Sequence, residues 1–438
     1  MAKKKATDFR YNTGETKVPW AAVGENYNKE DVMAVIKFMM KGDGADYDAA
    51  IAEVEAKINA LDAVSEPPAK LSLDAEVAKA EAMCDEFLQT EGCVFLTNCT
   101  AGFELATKWA NVKPGDEVIV PAITFAATMA YPLSIGAKIV FADVDPVTLN
   151  MDPKDVAKKI TEKTKMIVPV HIGGYPVDMD PIMELAAKHD IIVLEDGAHA
   201  FGGEYKGKKL GTIGHFGSYS FHEVKNMTSF GEGGILTTTI EEARPEMKRA
   251  RFLGADFSRK IKNWLYDVCA IPGKDGSSFV ATNFSTTELQ GLGLQLQLAR
   301  YPEILEARKQ AATYLTNRLS VCDAIIPQDL GNDDIKPTFH LYAVVIDPEK
   351  AGGDVQTFKA KLAAKGVTEI AHFGPLYRFD VLKGLGYNEE EIAATCPVTE
   401  EVFDRRFTHF PIYGLTQEQL DYMADAILES IDEMQKGI

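Results

Sequence analysis

Short apolar runs and longer stretches of helical period alternate through the middle of this chain. Strands built on such runs are expected at residues 94–96, 117–120, 138–142, 166–170 and 191–194, two of them led by a charged residue, Glu117 and Lys138, and helical repeats cover 101–110 and 181–189. Strands that are apolar at every position are covered on both faces. Strands alternating with helices build a mostly parallel sheet with helices on either side, so the pattern predicts an α/β fold. Upstream, a helix over 29–40 carries Val32, Val35, Ile36 and Met39 on one face and stops at the Gly-Asp-Gly of 42–44. Further helical patterns around 50–60 and 75–88 flank Pro67 and Pro68, and the residues before the first helix read as an extended arm containing Pro19 and Trp20. Downstream, a helix over 241–251 precedes a stretch rich in Lys, Asp and Gly, 260–278, that reads as a long loop. A helical pattern over 286–319, a strand at 339–347 and helices at 355–365 and 417–434 then imply a smaller α+β domain. The organisation expected is an arm over 1–28, a large domain over 29–300 and a small domain over 301–438.

Composition narrows the function classes. With 438 residues, 46% hydrophobic and 25% charged, the chain is long enough for one large core and a smaller one. A net charge of −19 repels nucleic acid and anionic membranes. The start MAKKKA has no apolar segment, and no apolar run approaches the roughly 18 to 20 residues of a membrane span. A cytoplasmic protein is expected, with neither nucleic acid nor membrane as partner. Six cysteines, Cys84, Cys93, Cys99, Cys269, Cys322 and Cys396, lack CxxC spacing and read as reduced, mostly buried thiols. His171, His189 and His199 do not combine with carboxylates at ligand spacing, so no metal is expected. GxxxxGK[ST] is absent, and no GxGxxG sits at a strand-to-helix turn.

Candidate chemistry concentrates in 191–236. The buried strand at 191–194 delivers Asp196 at its C-terminal edge, where open α/β sheets bind ligands. A second apolar piece, 219–221, ends at a polar turn with one lysine, Lys225, after which Gly231, Gly233 and Gly234 let the backbone turn sharply. Taken singly, such an Asp caps a turn and such a Lys is a solvated charge. Together they suit pyridoxal phosphate (PLP), which needs a lysine to hold it and an anion against its ring nitrogen, so that the protonated ring can act as an electron sink.

The words EDGAHAFGGEYKGKKLGTIGHFGSYSFHEVKN and GEGGILTT resemble the DegT/DnrJ/EryC1/StrS family of sugar aminotransferases, within the aspartate-aminotransferase fold (type I). The resemblance covers most of residues 15–435 and is densest over 95–240. It implies a PLP-dependent transferase fold with a mostly parallel central sheet. NCTAGFELA sits where the family has SGTAAL, which puts Thr100 and Ala101 on its phosphate-binding Thr and Ala. On the residues alone, N-capping of a helix over 101–110 by Thr100 is the favoured reading, ahead of phosphate binding by the free N–H groups of that helix start. In PAITFAAT, Phe125 matches the aromatic that stacks on the cofactor ring. His199 matches the family's Gln or His beside the ring hydroxyl, and Ser220 matches a phosphate-contacting serine. HIGGYPVDMD, 171–180, resembles a glycine-rich loop bordering the site, and AHFGPLY, 371–377, echoes the family's H-Y-x-P-L-H.

NFSTTELQGLGLQLQLARY resembles NYRMTEIQAALGLAQL, whose Asn reaches the phosphate of the neighbouring subunit's cofactor. Asn283 therefore implies a homodimer with shared active sites, and Ser285 stands in place of the family's Arg. Part of 45–75 is longer than is usual in the family and reads as an insertion.

The function implied is transfer of an amino group, by analogy from L-glutamate, to a keto or aldehyde carbon of a sugar. A nucleotide-linked keto-deoxysugar is the acceptor expected, in cell-surface polysaccharide or amino-sugar biosynthesis. A sugar acid without a nucleotide (Kdo-type) and a cyclitol are alternatives. A PLP-dependent sugar dehydratase would carry histidine in place of Lys225, and a non-catalytic regulator would more naturally have lost Lys225 or Asp196.

Overall fold

A computed structural model describes residues 27–65, 71, 73–255, 268, 270–369 and 373–438. Residues 1–26 of the expected arm, Pro67, Pro68, Cys269, Ala371 and His372 fall outside the described residues. The chain divides into two compact units, one ending at Asp74 and the other beginning at Ala75.

The first unit holds the helices Lys29–Met39 and Ala45–Asp62. Asn28 and Asp31 form a reciprocal capping box at the start of the first. Its buried residue is Met33, while Val32, Val35 and Met39 of the expected apolar face are exposed.

The second unit is built on seven strands: β1 Val94–Leu96, β2 Glu117–Pro121, β3 Lys138–Ala142, β4 Thr164–Ile167, β5 Ile192–Asp196, β6 Phe216–Ser220 and β7 Gly234–Thr238. Their order is β1-β7-β6-β5-β4-β2-β3. β7 runs antiparallel to both of its neighbours. The contacts β6–β5, β5–β4, β4–β2 and β2–β3 are parallel. Side chains alternate between two cores, as the twofold period of a strand requires. Val118, Val120 and Leu194 meet Phe103, Leu105 and Trp109 of the helix Cys99–Trp109. Ile119, Ile167 and Val193 face the other way, toward Ile182 and Ala186 of the helix Met179–His189. Both faces of the sheet are thereby covered, which accounts for its uninterrupted apolar runs.

A second sheet, β8 Ile325–Pro327, β9 Tyr342–Ile346 and β10 Phe407–Phe410, is antiparallel in that order. Its core joins Val344 and Ile346 to Leu315, Phe358 and Ile427 of the helices Tyr301–Leu319, Val355–Ala364 and Gln417–Lys436. The boundary expected at 300/301 lies inside the second unit.

Three local expectations are corrected. The helix read over 286–319 is two, Glu288–Ala299 and Tyr301–Leu319. Pro302 opens the second of them, where its missing N–H leaves no helical bond unmade. Part of the long loop at 260–278 is a hairpin, Ala270–Pro272 against Ser278–Val280. The strand read from 339 begins at Tyr342, because Thr338 and His340 donate instead to Gly174 O (3.1 Å) and Gly173 O (2.9 Å).

Candidate active site

β5 ends at Asp196, whose residue is only 5% exposed. Its Oδ2 accepts from the Thr128 hydroxyl at 2.8 Å and its Oδ1 from Ala198 N–H at 3.1 Å. Burial pushes the carboxyl above its usual range, against the opposing pull of those two donors, Lys225 and His171. The preceding residue, Glu195, points to the other side of the strand. It accepts from the backbone N–H groups of Gly211 (2.7 Å), Ile213 (2.7 Å) and Gly214 (2.5 Å), and His171 Nε2 lies 3.0 Å away. Val177 N–H donates to His171 Nδ1, so the ring proton sits on Nε2, toward Glu195. Glu195 thus ties the 211–214 turn to the strand, and Asp196 is the carboxylate presented at the edge.

Lys225 lies in the loop after β6. Phe221 N–H donates to Gly233 O, Glu223 N–H to Gly231 O and Lys225 N–H to His222 O, which closes the loop on itself. Gly231 has φ +108°, a conformation that favours glycine. The half-buried Lys225 amine is held below its usual value by desolvation, while Asp196 and Cys99 pull it upward. The buried Cys99 thiol is pushed well up by burial and further by Asp196, and Ser218 and Lys225 lower it. The three groups therefore share one electrostatic neighbourhood.

The third side is the start of the Cys99–Trp109 helix. The cap is Asn98 rather than Thr100: Asn98 has an extended backbone, and its side-chain oxygen accepts from Ala101 N–H at 2.9 Å. Ala101's N–H is thus already taken, and those of Cys99 and Thr100 are first-turn donors with no intrahelical acceptor. Close packing seats this helix end on the sheet. Ser218 Oγ donates to Cys99 O at 2.9 Å. A Cβ at Gly102 would come within 2.2 Å of Ser218 Oγ, and one at Gly234 within 2.4 Å of Asn98 C. Ser220, paired with Gly234 at the C-terminal end of β6, is half-buried.

Aromatic rings line the remainder. Phe125, just past the short strand Ile123–Thr124, is 58% exposed. It faces a cavity of about 360 Å³ that Lys359, Glu369, Phe373, Phe403 and His409 also line. The buried His199 ring stacks on His340, with centroids 4.3 Å apart and planes 18° apart, and meets Phe373 edge-on at 5.6 Å. Phe373 stacks in turn on His409 at 5.2 Å, so the rings run from His199 to the cavity. Asn283 is exposed, and its Oδ1 accepts from Ser285 N–H at 3.0 Å. Within one chain that bond does not bring Asn283 to the Asp196–Lys225 group.

Sequence reasoning missed Thr128, Asn226 and His340. Thr128 stood inside PAITFAAT, read for its phenylalanine alone, and Asn226 directly follows Lys225. Among the described residues no cluster of three His, Cys, Asp or Glu could hold a metal ion. Nor is any described helix long and apolar enough to cross a membrane. The described cysteines are free, and Cys84, Cys93, Cys99 and Cys396 are buried.

A sequence model of the DegT/DnrJ/EryC1/StrS aminotransferase family matches residues 53–428. The chain is 33% identical to the spore coat polysaccharide biosynthesis protein SpsC of Bacillus subtilis, over 84% of this chain and 91% of that protein. It is 30% identical to GDP-perosamine synthase of Caulobacter vibrioides, over 80% and 89%. The X-ray structure of an aminotransferase from Psychrobacter cryohalolentis superposes with a TM-score of 0.72 at 27% identity, covering 82% of this chain and 92% of that one.

Proposed function

The chain belongs to the DegT/DnrJ/EryC1/StrS aminotransferase family, and from that premise we propose that it uses PLP to move an amino group from L-glutamate to a keto or aldehyde carbon of a sugar. A nucleotide-linked keto-deoxysugar destined for polysaccharide or amino-sugar synthesis is the acceptor we infer. The observation that carries this reading is the pairing of a buried carboxylate, Asp196, with a half-buried amine of lowered pKa, Lys225, at the C-terminal edge of a parallel sheet.

The residues fit the cofactor. Lys225 would hold it covalently, Asp196 would face the ring nitrogen, and Phe125 and His199 would lie against the ring. The N–H groups of Cys99 and Thr100, with the Thr100 and Ser220 hydroxyls, would take the phosphate, since a helix start favours an anion. The carry-over of Ala101 is narrower, because Asn98 already occupies its N–H. When bound, PLP supplies an aldehyde and an electron-withdrawing ring. With the cofactor and donor bound, the Lys225 amine would take the proton from the donor's α-carbon, and its lowered pKa would keep more of that amine in the basic form.

A homodimer with shared sites belongs to the same reading. Asn283 is exposed, and Leu289, Leu292 and Leu296 form an exposed stripe on the helix that follows it, an apolar face suited to a second copy. The deciding experiment incubates PLP-loaded protein with L-glutamate and a panel of keto-sugars, nucleotide-linked and free, and reads products by mass spectrometry. A gain of one amino group on a keto-sugar supports the reading. Loss of water from the sugar without nitrogen transfer, or no reaction with any member, rejects it.

A further inference from the structure

We propose that His340 and Asn226 are positioning residues, a hydrogen-bonded bridge that fixes the loop bearing Lys225 against the loop bearing Asp196 and His199. The inference rests on the reading above, in which Lys225 moves a proton, and adds two residues to the machinery that aims it.

Asn226 follows Lys225 directly and is buried. Its Oδ1 lies 2.8 Å from His340 Nδ1, and a carbonyl oxygen can only accept, so Nδ1 carries the proton. Its Nδ2 points at the Tyr301 hydroxyl at 3.5 Å, and that hydroxyl donates to Phe201 O at 2.5 Å. Phe201 belongs to the segment that leaves Asp196 and carries His199. The Asn226 carboxamide therefore reaches the His199 segment by two routes. One runs through Tyr301 to the backbone, and the other through His340, whose ring face lies on His199.

The chain is shaped to bring His340 there. Phe339 adopts φ +50°, which a bulky residue rarely does, and is fully buried. His340 N–H is held by Gly173 O, and a Cβ on Gly174 would come within 1.9 Å of Thr338 Oγ1. The buried Arg308 guanidinium gives its hydrogen bonds to the carbonyls of Phe339 (3.3 Å) and His340 (3.2 Å). Helix Tyr301–Leu319 supplies both Tyr301 and Arg308, so one rigid element braces the bridge from behind. A pair of side chains that merely filled the core would need neither the left-handed turn nor the buried cation.

A lysine transferring a proton must be placed to a fraction of an ångström, and a misplacement of about 1 Å costs on the order of a hundredfold in rate. The test uses PLP-loaded protein with His340→Phe, which keeps a ring against His199 but loses the N–H. It also uses Asn226→Leu, which removes the acceptor, and the double variant. Single-turnover rates are read against L-glutamate concentration, together with the visible circular dichroism of the bound cofactor and the melting temperature. Each single variant should slow the saturated rate by about 10- to 100-fold, leave the half-saturating glutamate concentration unchanged and weaken the dichroism. The double variant should be no slower than Asn226→Leu, which by itself already removes the bond that His340→Phe breaks. Parent-like rates and dichroism in a folded variant, a loss confined to glutamate affinity, or additive losses would overturn the bridge. Because the substitutions lie at opposite ends of the link, either folded variant alone decides. A parent protein that takes up no PLP overturns the proposed function and this inference with it, whereas a normal parent with indifferent variants overturns only the inference.

Discussion

The hydroxyl of Thr128 donates a 2.8 Å hydrogen bond to Oδ2 of Asp196, across 68 residues of sequence. It opposes burial, which by itself drives the carboxyl toward its neutral form. A hydrogen bond to a charged group contributes about 1.5 to 3 kcal/mol, and each 1.4 kcal/mol is a factor of ten. Thr128→Val, nearly the same shape without the donor, should therefore slow the half-reaction with glutamate by roughly tenfold or more. Asp196→Ala should slow it by orders of magnitude while the fold persists, as single-turnover kinetics beside a melting curve would report. Unchanged kinetics in Asp196→Ala would remove the carboxylate from the mechanism.

Lys225 should be the point of attachment. Borohydride treatment of the PLP-loaded protein is expected to fix the cofactor onto a peptide containing Lys225, identified by mass spectrometry. Lys225→Arg should lose turnover and keep its melting temperature. Transamination at the parental rate in that variant would show that another group is the base.

The protonation of Lys225 gives a prediction with a definite sign. Desolvation lowers its pKa from 10.5, and the charge of Asp196 partly restores it. A lowered pKa means a larger neutral fraction at every pH below 10.5 than an undisturbed lysine has. In the PLP-free protein, acylation of Lys225 followed by mass spectrometry should thus show a pH midpoint below 10.5. Asp196→Asn removes the group that raises the pKa, so the midpoint should move lower still. An unchanged midpoint would mean that the two side chains do not sense each other, and an upward movement would reverse the sign assigned to Asp196.

Shared sites can be tested by mixing. Inactive Lys225→Ala chains and impaired Asn283→Ala chains, once exchanged into mixed dimers, would place both lesions in one site and leave the other intact. Activity should partly return, and native mass spectrometry would confirm the mixed species. No recovery in confirmed mixed dimers would mean that each chain completes its own site.

The parallel sheet was readable because the middles of its strands are buried on both faces and carry short apolar runs, as in Val118, Ile119 and Val120. Asp196 and Lys225 were visible because each stands at the end of such a run. The cap of the Cys99–Trp109 helix was misread because three of the four residues Thr97, Asn98, Cys99 and Thr100 can cap, and only the folded backbone and side chain of Asn98 select among them. The break after Ala299 had a signal in Pro302, but proline is tolerated in a first turn and need not interrupt a helical period. Thr128, Asn226 and His340 left no local signature. Their partners lie 68 and 114 residues away, and pairing across such distances is set by the fold rather than by spacing.

The adjacency of β1 and β7 also fixes when the pocket can exist. Val94 pairs with Leu236 and Leu96 with Gly234, so the first strand of the sheet to leave the ribosome has no partner until the last has emerged. The helix start at Asn98 is seated against Gly234 so tightly that even a methyl group would not fit. During synthesis the helix-start side of the site therefore cannot close before β7, 234–238, is available, although Thr100 was made long before. Non-local pairing of this kind is slow to form, and the growing chain must carry the bare edges of β1 and β6 meanwhile, as surfaces on which a chaperone or a neighbouring nascent chain can act.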